Sequence, residues 1–280
     1  MEIWKAIILG LVQGLTEFLP VSSSGHLVLV QEMLDVDTAN ILFFDTMLHL
    51  ATLIAVCVVL YKEIWALLKK PIQKPVLLLI IATIPAGIVG LCLNDVMDSF
   101  FAGTKYLWIF FIISACILLV SDILGMHYDK IKAMKKLHGY EKEELNPALF
   151  SSLNYGNTIA MGLAQAVAIF PGVTRSGSTI AAGVCAKGDR KEVARFSFLM
   201  SIPIILASVL LETIDLVKAP TEMTIGAGAI ICGMLAAAIS GYIAIKWMLK
   251  LVEKCQLRWF SLYLILIAIL VIVHNQIQIW

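Results

Sequence analysis

FLPVSSSGHL, residues Phe18 to Leu27, interrupts a chain that is otherwise apolar on both sides. A proline, three serines, a glycine and a histidine follow Glu17. FPGVTRSGST, Phe170 to Thr179, interrupts the second half in the same manner, with Arg175 at its centre. Each break is too polar for lipid, and neither region around it reads as a single span. Residues 3–18 and 24–34 flank the first break, and 148–169 and 176–186 the second. Non-helical backbone at membrane depth persists only where protein buries it or a cavity hydrates it. Each region is therefore expected to form a re-entrant helix–loop–helix hairpin.

Composition places the remainder. The chain has 280 residues, 60% hydrophobic and 15% charged, with a mean hydropathy of +0.91. Soluble domains carry about a quarter charged residues, so an integral membrane protein is expected. A net charge of +1 gives no reason to expect nucleic acid. Six scattered cysteines, Cys57, Cys92, Cys116, Cys185, Cys232 and Cys255, form no CxxC pair and read as small core residues. The N-terminal apolar run contains Gln13 and Glu17 and has no small-residue cleavage site, so it is expected to be retained.

A bilayer takes roughly 20 apolar residues per span. Six segments qualify, at about 39–61, 75–93, 105–125, 196–211, 225–245 and 259–274. The halves repeat. At an offset of 152, Gly10–Gln13 meets Gly162–Gln165, Phe18 meets Phe170, and Val21–Gly25 meets Val173–Gly177; at 151, Gly90 meets Gly241 and Trp108 meets Trp259. Each half holds one hairpin and three spans, and an odd number of spans inverts the second half. The fold expected is all-α: an inverted-topology repeat in one membrane domain over 1–280. Repeat 1 covers about 1–125, a cytoplasmic linker 126–147, and repeat 2 148–280.

Lysine and arginine mark the cytoplasmic side. Seventeen of the 21 fall in four clusters that this topology puts on one side: Lys62–Lys74, Lys130–Lys142, Lys187–Arg195 and Lys246–Arg258. The opposite loops carry Asp35, Asp37, Asp95, Asp98, Asp215 and Glu222. Both termini are expected outside.

Ionisable groups at membrane depth are costly and mark function by default. Gln13 and Glu17 share a helical face. Glu17 ends its helix, where the dipole disfavours an anion, so a divalent cation or Arg175 must compensate. The bland alternative is that Glu17 and Arg175 merely tie the hairpins together. Both loops lead into helix N-termini, which bind phosphate. Ser22, Ser23, Ser24, Thr174, Ser176, Ser178 and Thr179 add hydroxyls there. Capping explains one or two of these per loop; it does not explain Arg175, whose planar fork suits phosphate oxygens. His26 can exchange a proton near neutral pH. Asp45 and His49, one turn apart, either line the cavity or pair with each other.

QGLTEFLPVSSSGH (Gln13–His26) and PGVTRSGST (Pro171–Thr179) resemble the two signature motifs of the bacterial undecaprenyl-pyrophosphate phosphatase family, associated with bacitracin resistance. Gln13, Glu17, Ser22, Ser23, Gly25 and His26 match the first; Pro171, Gly172, Arg175, Ser176, Gly177 and Thr179 match the second, with Thr174 in place of a serine. The resemblance implies metal-dependent hydrolysis of the lipid pyrophosphate to the monophosphate, at the outer face of the bacterial cytoplasmic membrane. Bacitracin would compete for that lipid. Glu17, His26, Arg175 and Ser23 are then the catalytic candidates. Gln13, Ser22, Ser24, Thr174, Ser176, Gly177 and Thr179 would bind substrate. Glu17 and Gln13 would hold Mg²⁺ or Ca²⁺, hard cations that take oxygen ligands. Attack by Ser23 and attack by a metal-bound water both remain open, and self-association is compatible with the sequence. By fold alone a secondary transporter or flippase is the rival reading. Transport needs a binding site, but no acid–base pair beside a hydroxyl nucleophile.

Overall fold

A computed structural model describes residues 1–36, 41–92, 104–137, 149–218, 225–253 and 257–277. Among them are eleven helices and no strand: α1 Ile3–Phe18, α2 Ser23–Met33, α3 Ile41–Val59, α4 Tyr61–Lys69, α5 Lys74–Cys92, α6 Leu107–Leu137, α7 Tyr155–Val167, α8 Arg175–Cys185, α9 Arg190–Lys218, α10 Ala227–Glu253 and α11 Leu257–Ile277. Six of them, α3, α5, α6, α9, α10 and α11, are long and apolar enough to cross a bilayer. The span expected at 196–211 is longer, because the helix begins at Arg190 and its apolar stretch runs to Ile214. The helix of the 105–125 span continues to Leu137, into the segment read as linker. Helix α4 was not legible as a helix among the lysines around it. Asp37, Asp95, Asp98, Lys142, Glu222, Lys254 and Cys255 lie outside the described residues.

Local chemistry explains where the short helices start and stop. Leu19 precedes Pro20 and is extended, as a residue before proline is driven to be, and this ends α1. The Ser22 side chain then accepts from Gly25 N at 3.4 Å and caps α2. In the second break the Thr174 hydroxyl accepts from Gly177 N at 3.1 Å and caps α8. Asn154 and Asn157 form a reciprocal capping box at the start of α7.

Each short pair doubles back. Lys5 Nζ, near the start of α1, donates to Leu34 O at the end of α2, at 2.7 Å. Asn157 Nδ2, near the start of α7, donates to Ala186 O at the end of α8, at 2.5 Å. Both partners in the second bond stand 152 positions beyond those in the first. Packing repeats likewise. α1 lies on α10 and α7 on α5; a Cβ on Gly10 would stand 2.2 Å from Gly233 O, and one on Gly162 2.7 Å from Ala82 O. Such backbone approach needs small residues, as membrane helix interfaces do.

The ends of the bundle differ in charge. At one end Arg195 pairs with Glu63 at 2.8 Å and Lys191 with Glu253 at 3.0 Å, and Lys187 lies over the Tyr128 ring. At the other, His274 Nε2 is 3.3 Å from Glu32 and Thr104 bonds Asn275 at 3.1 Å. The starts of α1 and α6 and the ends of α2 and α11 meet there. Trp4, Leu11, Leu15, Ile80, Ile84 and Leu266 point outward, whereas Ser114, Thr158, Ser197, Ser201, Ser240 and Ser261 are buried. This apolar-out arrangement suits a lipid surround. Cys57, Cys92, Cys116 and Cys185 are exposed on the outer surface and Cys232 is half-buried; all five are free thiols. The expectation of core cysteines is corrected: a thiol is apolar enough to face lipid.

Candidate active site

The two breaks meet inside the bundle. A Cβ on Gly25 would come within 3.2 Å of Gly172 Cα, and one on Gly177 within 2.9 Å of the Pro20 ring, so the turns touch at matched positions of the two halves. Ser176 Oγ donates across to Leu19 O at 3.1 Å and Ser114 Oγ bridges Gly172 O and Thr174 N. Two residues have positive φ here, Ser22 at 69° and Gly172 at 92°. Glycine adopts that conformation freely; for Ser22 it is strain, of the kind that collects at functional sites.

Glu17 is the centre. Its side chain is 4% exposed and Arg175's 15%. Arg175 Nη2 donates to Glu17 Oε1 at 2.5 Å, and Ser23 Oγ donates to Oε2 at 2.5 Å. Ser23 and Arg175 are the first residues of α2 and α8 and occupy matched places in the repeat. One carboxylate at the end of α1 is thus gripped from the N-termini of two helices, whose positive ends offset the unfavourable end of its own helix. Gln13 Nε2 donates to the same Oε2 at 3.1 Å. His49 Nδ1 lies 2.8 Å from Gln13 Nε2 and 3.3 Å from Glu17 Oε2.

Beside this carboxylate is a cavity of about 180 Å³, lined by Thr16, Glu17, Ser22, Ser23, Ser24, His49, Val173, Thr174, Arg175 and Ser208, with Ala168, Ile169, Ile204 and Ile205 as its apolar side. Arg175 Nη1 is buried and has no hydrogen-bond partner among the described residues. A polar rim with a spare guanidinium donor and an apolar wall can hold an anion that carries a hydrocarbon.

The remaining candidates stand further back. His26 Nδ1 donates to Ser22 O at 2.8 Å, its Nε2 bonds Tyr263 Oη at 2.7 Å, and the ring stacks on that of Tyr263. It does not line the cavity. Ser176 ties the hairpins together, Gly177 permits their contact, and Thr179 bonds Arg175 O and Ser197. Asp45 accepts from Gln31 Nε2 at 2.8 and 2.9 Å and is held there, while His49 is the member of that pair that reaches the cavity. Tyr263 was not anticipated, since nothing in an apolar span marks it as the partner of a residue 237 positions away.

For a cation, Glu17 and Gln13 offer oxygen. Gln13 Oε1 is buried without a hydrogen-bond partner among the described residues. Among the described residues no group of three His, Cys, Asp or Glu side chains forms a ready metal cage. Oxygen donors of this kind would suit a hard cation.

These features define a class: helical membrane proteins in which paired helical hairpins frame a buried cavity with a charged, polar rim and an apolar wall. The family of bacitracin resistance protein BacA matches residues 6–270, and the chain belongs to it. It is 36% identical over 275 residues to the undecaprenyl-diphosphatase of Halothermothrix orenii, covering 98% of each chain. It is 38% identical over 274 residues to that of Carboxydothermus hydrogenoformans, covering 98% of this chain and 97% of the other. The undecaprenyl-diphosphatase of Methanosphaera stadtmanae is 33% identical over 299 residues, with 99% of each covered.

Proposed function

We propose that the protein hydrolyses undecaprenyl pyrophosphate to undecaprenyl phosphate and inorganic phosphate, returning the cell-wall lipid carrier to use. The observation that carries this is the Glu17 carboxylate held between the Ser23 hydroxyl and the Arg175 guanidinium on the wall of the cavity. A hydroxyl bonded to a carboxylate is an activated nucleophile. Ser23 Oγ attacks the terminal phosphorus as its proton passes to Glu17. The bond from that phosphorus to the bridging oxygen breaks, and the lipid monophosphate leaves with the electron pair. Water then attacks the phosphoserine; the serine oxygen leaves with the proton that Glu17 had taken, and phosphate departs carrying both protons of the water. Arg175 meets charge on the transferring oxygens through Nη1, and the Ser22, Ser24 and Thr174 hydroxyls orient the headgroup. His26 acts through the turn, holding Ser22 O. Mg²⁺ or Ca²⁺, held by Glu17 and Gln13, would neutralise pyrophosphate charge.

Purified protein in detergent is expected to release phosphate from undecaprenyl pyrophosphate, faster with Mg²⁺ than with a chelator, and bacitracin should suppress release by competing for the lipid. Absence of release with the cation present would favour a transporter or flippase.

The membrane arrangement belongs to the same reading. The hairpins are re-entrant, the halves form an inverted repeat, and both termini and the cavity mouth face the outer side of the bacterial cytoplasmic membrane. The matched contacts of Lys5 and Asn157 support the repeat, and the basic end of the bundle supports the orientation. In a background without the native cysteines, Asp35→Cys and Lys105→Cys should react with a membrane-impermeant thiol reagent in intact cells. Lys70→Cys and Lys130→Cys should be protected; the reverse pattern overturns the orientation.

A further inference from the structure

Gln13, Glu17 and His49 set three polar atoms in a triangle. Gln13 Nε2 lies 3.1 Å from Glu17 Oε2 and 2.8 Å from His49 Nδ1, and His49 Nδ1 lies 3.3 Å from Glu17 Oε2. Gln13 and Glu17 are one turn apart on α1, and His49 reaches them from α3. Gln13 is buried, and its Oε1 accepts no hydrogen bond from the described residues. Half a turn about the last bond of the side chain exchanges the two ends of the amide, which are nearly equal in size. Oε1 then takes the third corner, and each corner can present a lone pair to one point, an arrangement that a cation completes. We propose that His49 Nδ1, Gln13 Oε1 and Glu17 Oε2 form one face of an octahedral site for a first-row transition cation, with His49 as the ligand that selects it over Mg²⁺ and Ca²⁺. The proposal deepens the cation part of the phosphatase reading above and rests on it.

Spacing and chemistry agree on the ion. Neighbouring donors around an octahedral ion stand apart by about 1.4 times its bond length. Separations of 2.8, 3.1 and 3.3 Å therefore correspond to bonds of about 2.2 Å, above the roughly 2.0–2.1 Å that Mg²⁺ demands and below the roughly 2.3–2.6 Å of Ca²⁺. Imidazole nitrogen suits the first-row transition ions, and carboxylate and carbonyl oxygens suit Mn²⁺ as well as Mg²⁺. One nitrogen beside two oxygens thus favours the first-row ions as a group, while Mg²⁺ fills the same site less tightly. The neighbours leave the donors free for this. Arg175 holds the other carboxylate oxygen, Glu17 Oε1, and Ser23 uses one lone pair of Oε2 while a second remains. Glu17 and His49 both line the phosphate cavity, so coordination positions that the protein does not fill are within reach of a phosphate there. A site that spends one carboxylate on both Arg175 and a divalent ion carries excess positive charge, which an anionic headgroup offsets.

Mn²⁺ is the probe, because its unpaired electrons report a directly bound nitrogen. Electron spin echo measurements on purified protein in detergent, with equimolar Mn²⁺, are expected to show nitrogen modulation. His49→Gln removes that nitrogen and offers an oxygen in its place. The modulation should vanish, and Mn²⁺ affinity should fall by at least roughly tenfold, the lower end of what losing even an outer-shell partner costs. Mg²⁺ should displace Mn²⁺ from wild-type protein only in large excess, and from His49→Gln at a much lower concentration. No bound Mn²⁺, an echo without nitrogen in wild type, modulation retained in His49→Gln, or displacement by equimolar Mg²⁺ each overturns the proposal. Gln13→Glu supplies an arm that does not depend on how His49→Gln folds. Two carboxylates so close repel, so this variant should melt below wild type without metal and gain more than wild type from added Mn²⁺. A Mn²⁺ shift no larger than that of wild type would remove Gln13 from the site and overturn the triangle. Nitrogen-bound Mn²⁺ in a protein that releases no phosphate from undecaprenyl pyrophosphate would sink the hydrolysis reading while leaving the metal site standing.

Discussion

Glu17→Gln is expected to slow phosphate release from undecaprenyl pyrophosphate by roughly a hundredfold or more, the scale for removing a positioned proton acceptor. The substitution preserves shape. A glutamine at this place can still accept the Ser23 hydrogen bond through its amide oxygen. It cannot take the Ser23 proton, and it leaves the Arg175 guanidinium, 15% exposed, facing an uncharged group. Its NH₂ must also point toward either Ser23 or Arg175, both donors to this carboxylate in the native protein. Some loss of stability is therefore expected alongside the loss of rate, because a buried charge without its partner is costly. The two effects separate experimentally. Initial rates on material that elutes as a single folded species report chemistry; the midpoint of thermal unfolding reports the pair. A folded variant that turns over within a few-fold of wild type would make Glu17 a strut between the hairpins and remove it from the mechanism.

How far the sequence reached can be followed through particular residues. The polar breaks at Pro20–Gly25 and Pro171–Gly177 were conspicuous because lipid tolerates neither free hydroxyls nor unpaired backbone. The offset of 152 then located Glu17, Ser23 and Arg175 in matched surroundings before any coordinate was known. Their convergence on a single carboxylate was legible only in part, because the offset relates positions along the chain and not distances across it. His49 shows the limit. Asp45, His49 and Thr52 share one face of α3, but that stripe does not say which residues of other helices it meets. Contacts with Gln13, 36 residues earlier, and Glu17 decide it. His26 shows the opposite case. A histidine next to three serines invites a chemical role, yet its ring nitrogens are engaged by Ser22 O and Tyr263 Oη. The cysteines were misplaced because an apolar surround looks the same in composition whether it is protein core or lipid.

The repeat divides labour between its halves. Ile169 stands where the second half would carry the counterpart of Glu17, and Gln165 mirrors Gln13 but is buried with both amide atoms unpartnered among the described residues. Ser23 and Arg175, matched in place, differ in chemistry: one supplies an oxygen that can attack, the other a fixed positive charge. In the proposed mechanism two helix N-termini aimed at one point hold the anion, and their unlike first residues give it a reactive side and a stabilising side.

Arg175→Lys separates these roles most sharply. A lysine keeps the positive charge opposite Glu17, so the hairpin contact and the fold should persist, with a thermal midpoint close to wild type. What it loses is the fork. In the native protein Nη2 is committed to Glu17 Oε1 while Nη1 remains buried and unpartnered among the described residues. One guanidinium can therefore hold the carboxylate and a phosphate oxygen at once, whereas an ammonium meets its partners as a point charge. Charge on the transferring phosphoryl oxygens is then stabilised less, and turnover should fall roughly a hundredfold or more, the cost of removing one donor of this kind. KM should change less than kcat if the interaction strengthens in the transition state. Arg175→Ala should be worse and should also destabilise the fold by about 3 to 5 kcal/mol, the usual penalty for stranding one member of a buried ion pair. Near wild-type turnover in Arg175→Lys would remove the two-pronged phosphate contact from the mechanism. Failure of that variant to fold would instead make Arg175 the structural partner of Glu17 and nothing more. Loss of rate in a protein that melts normally is the outcome that requires the guanidinium's second arm.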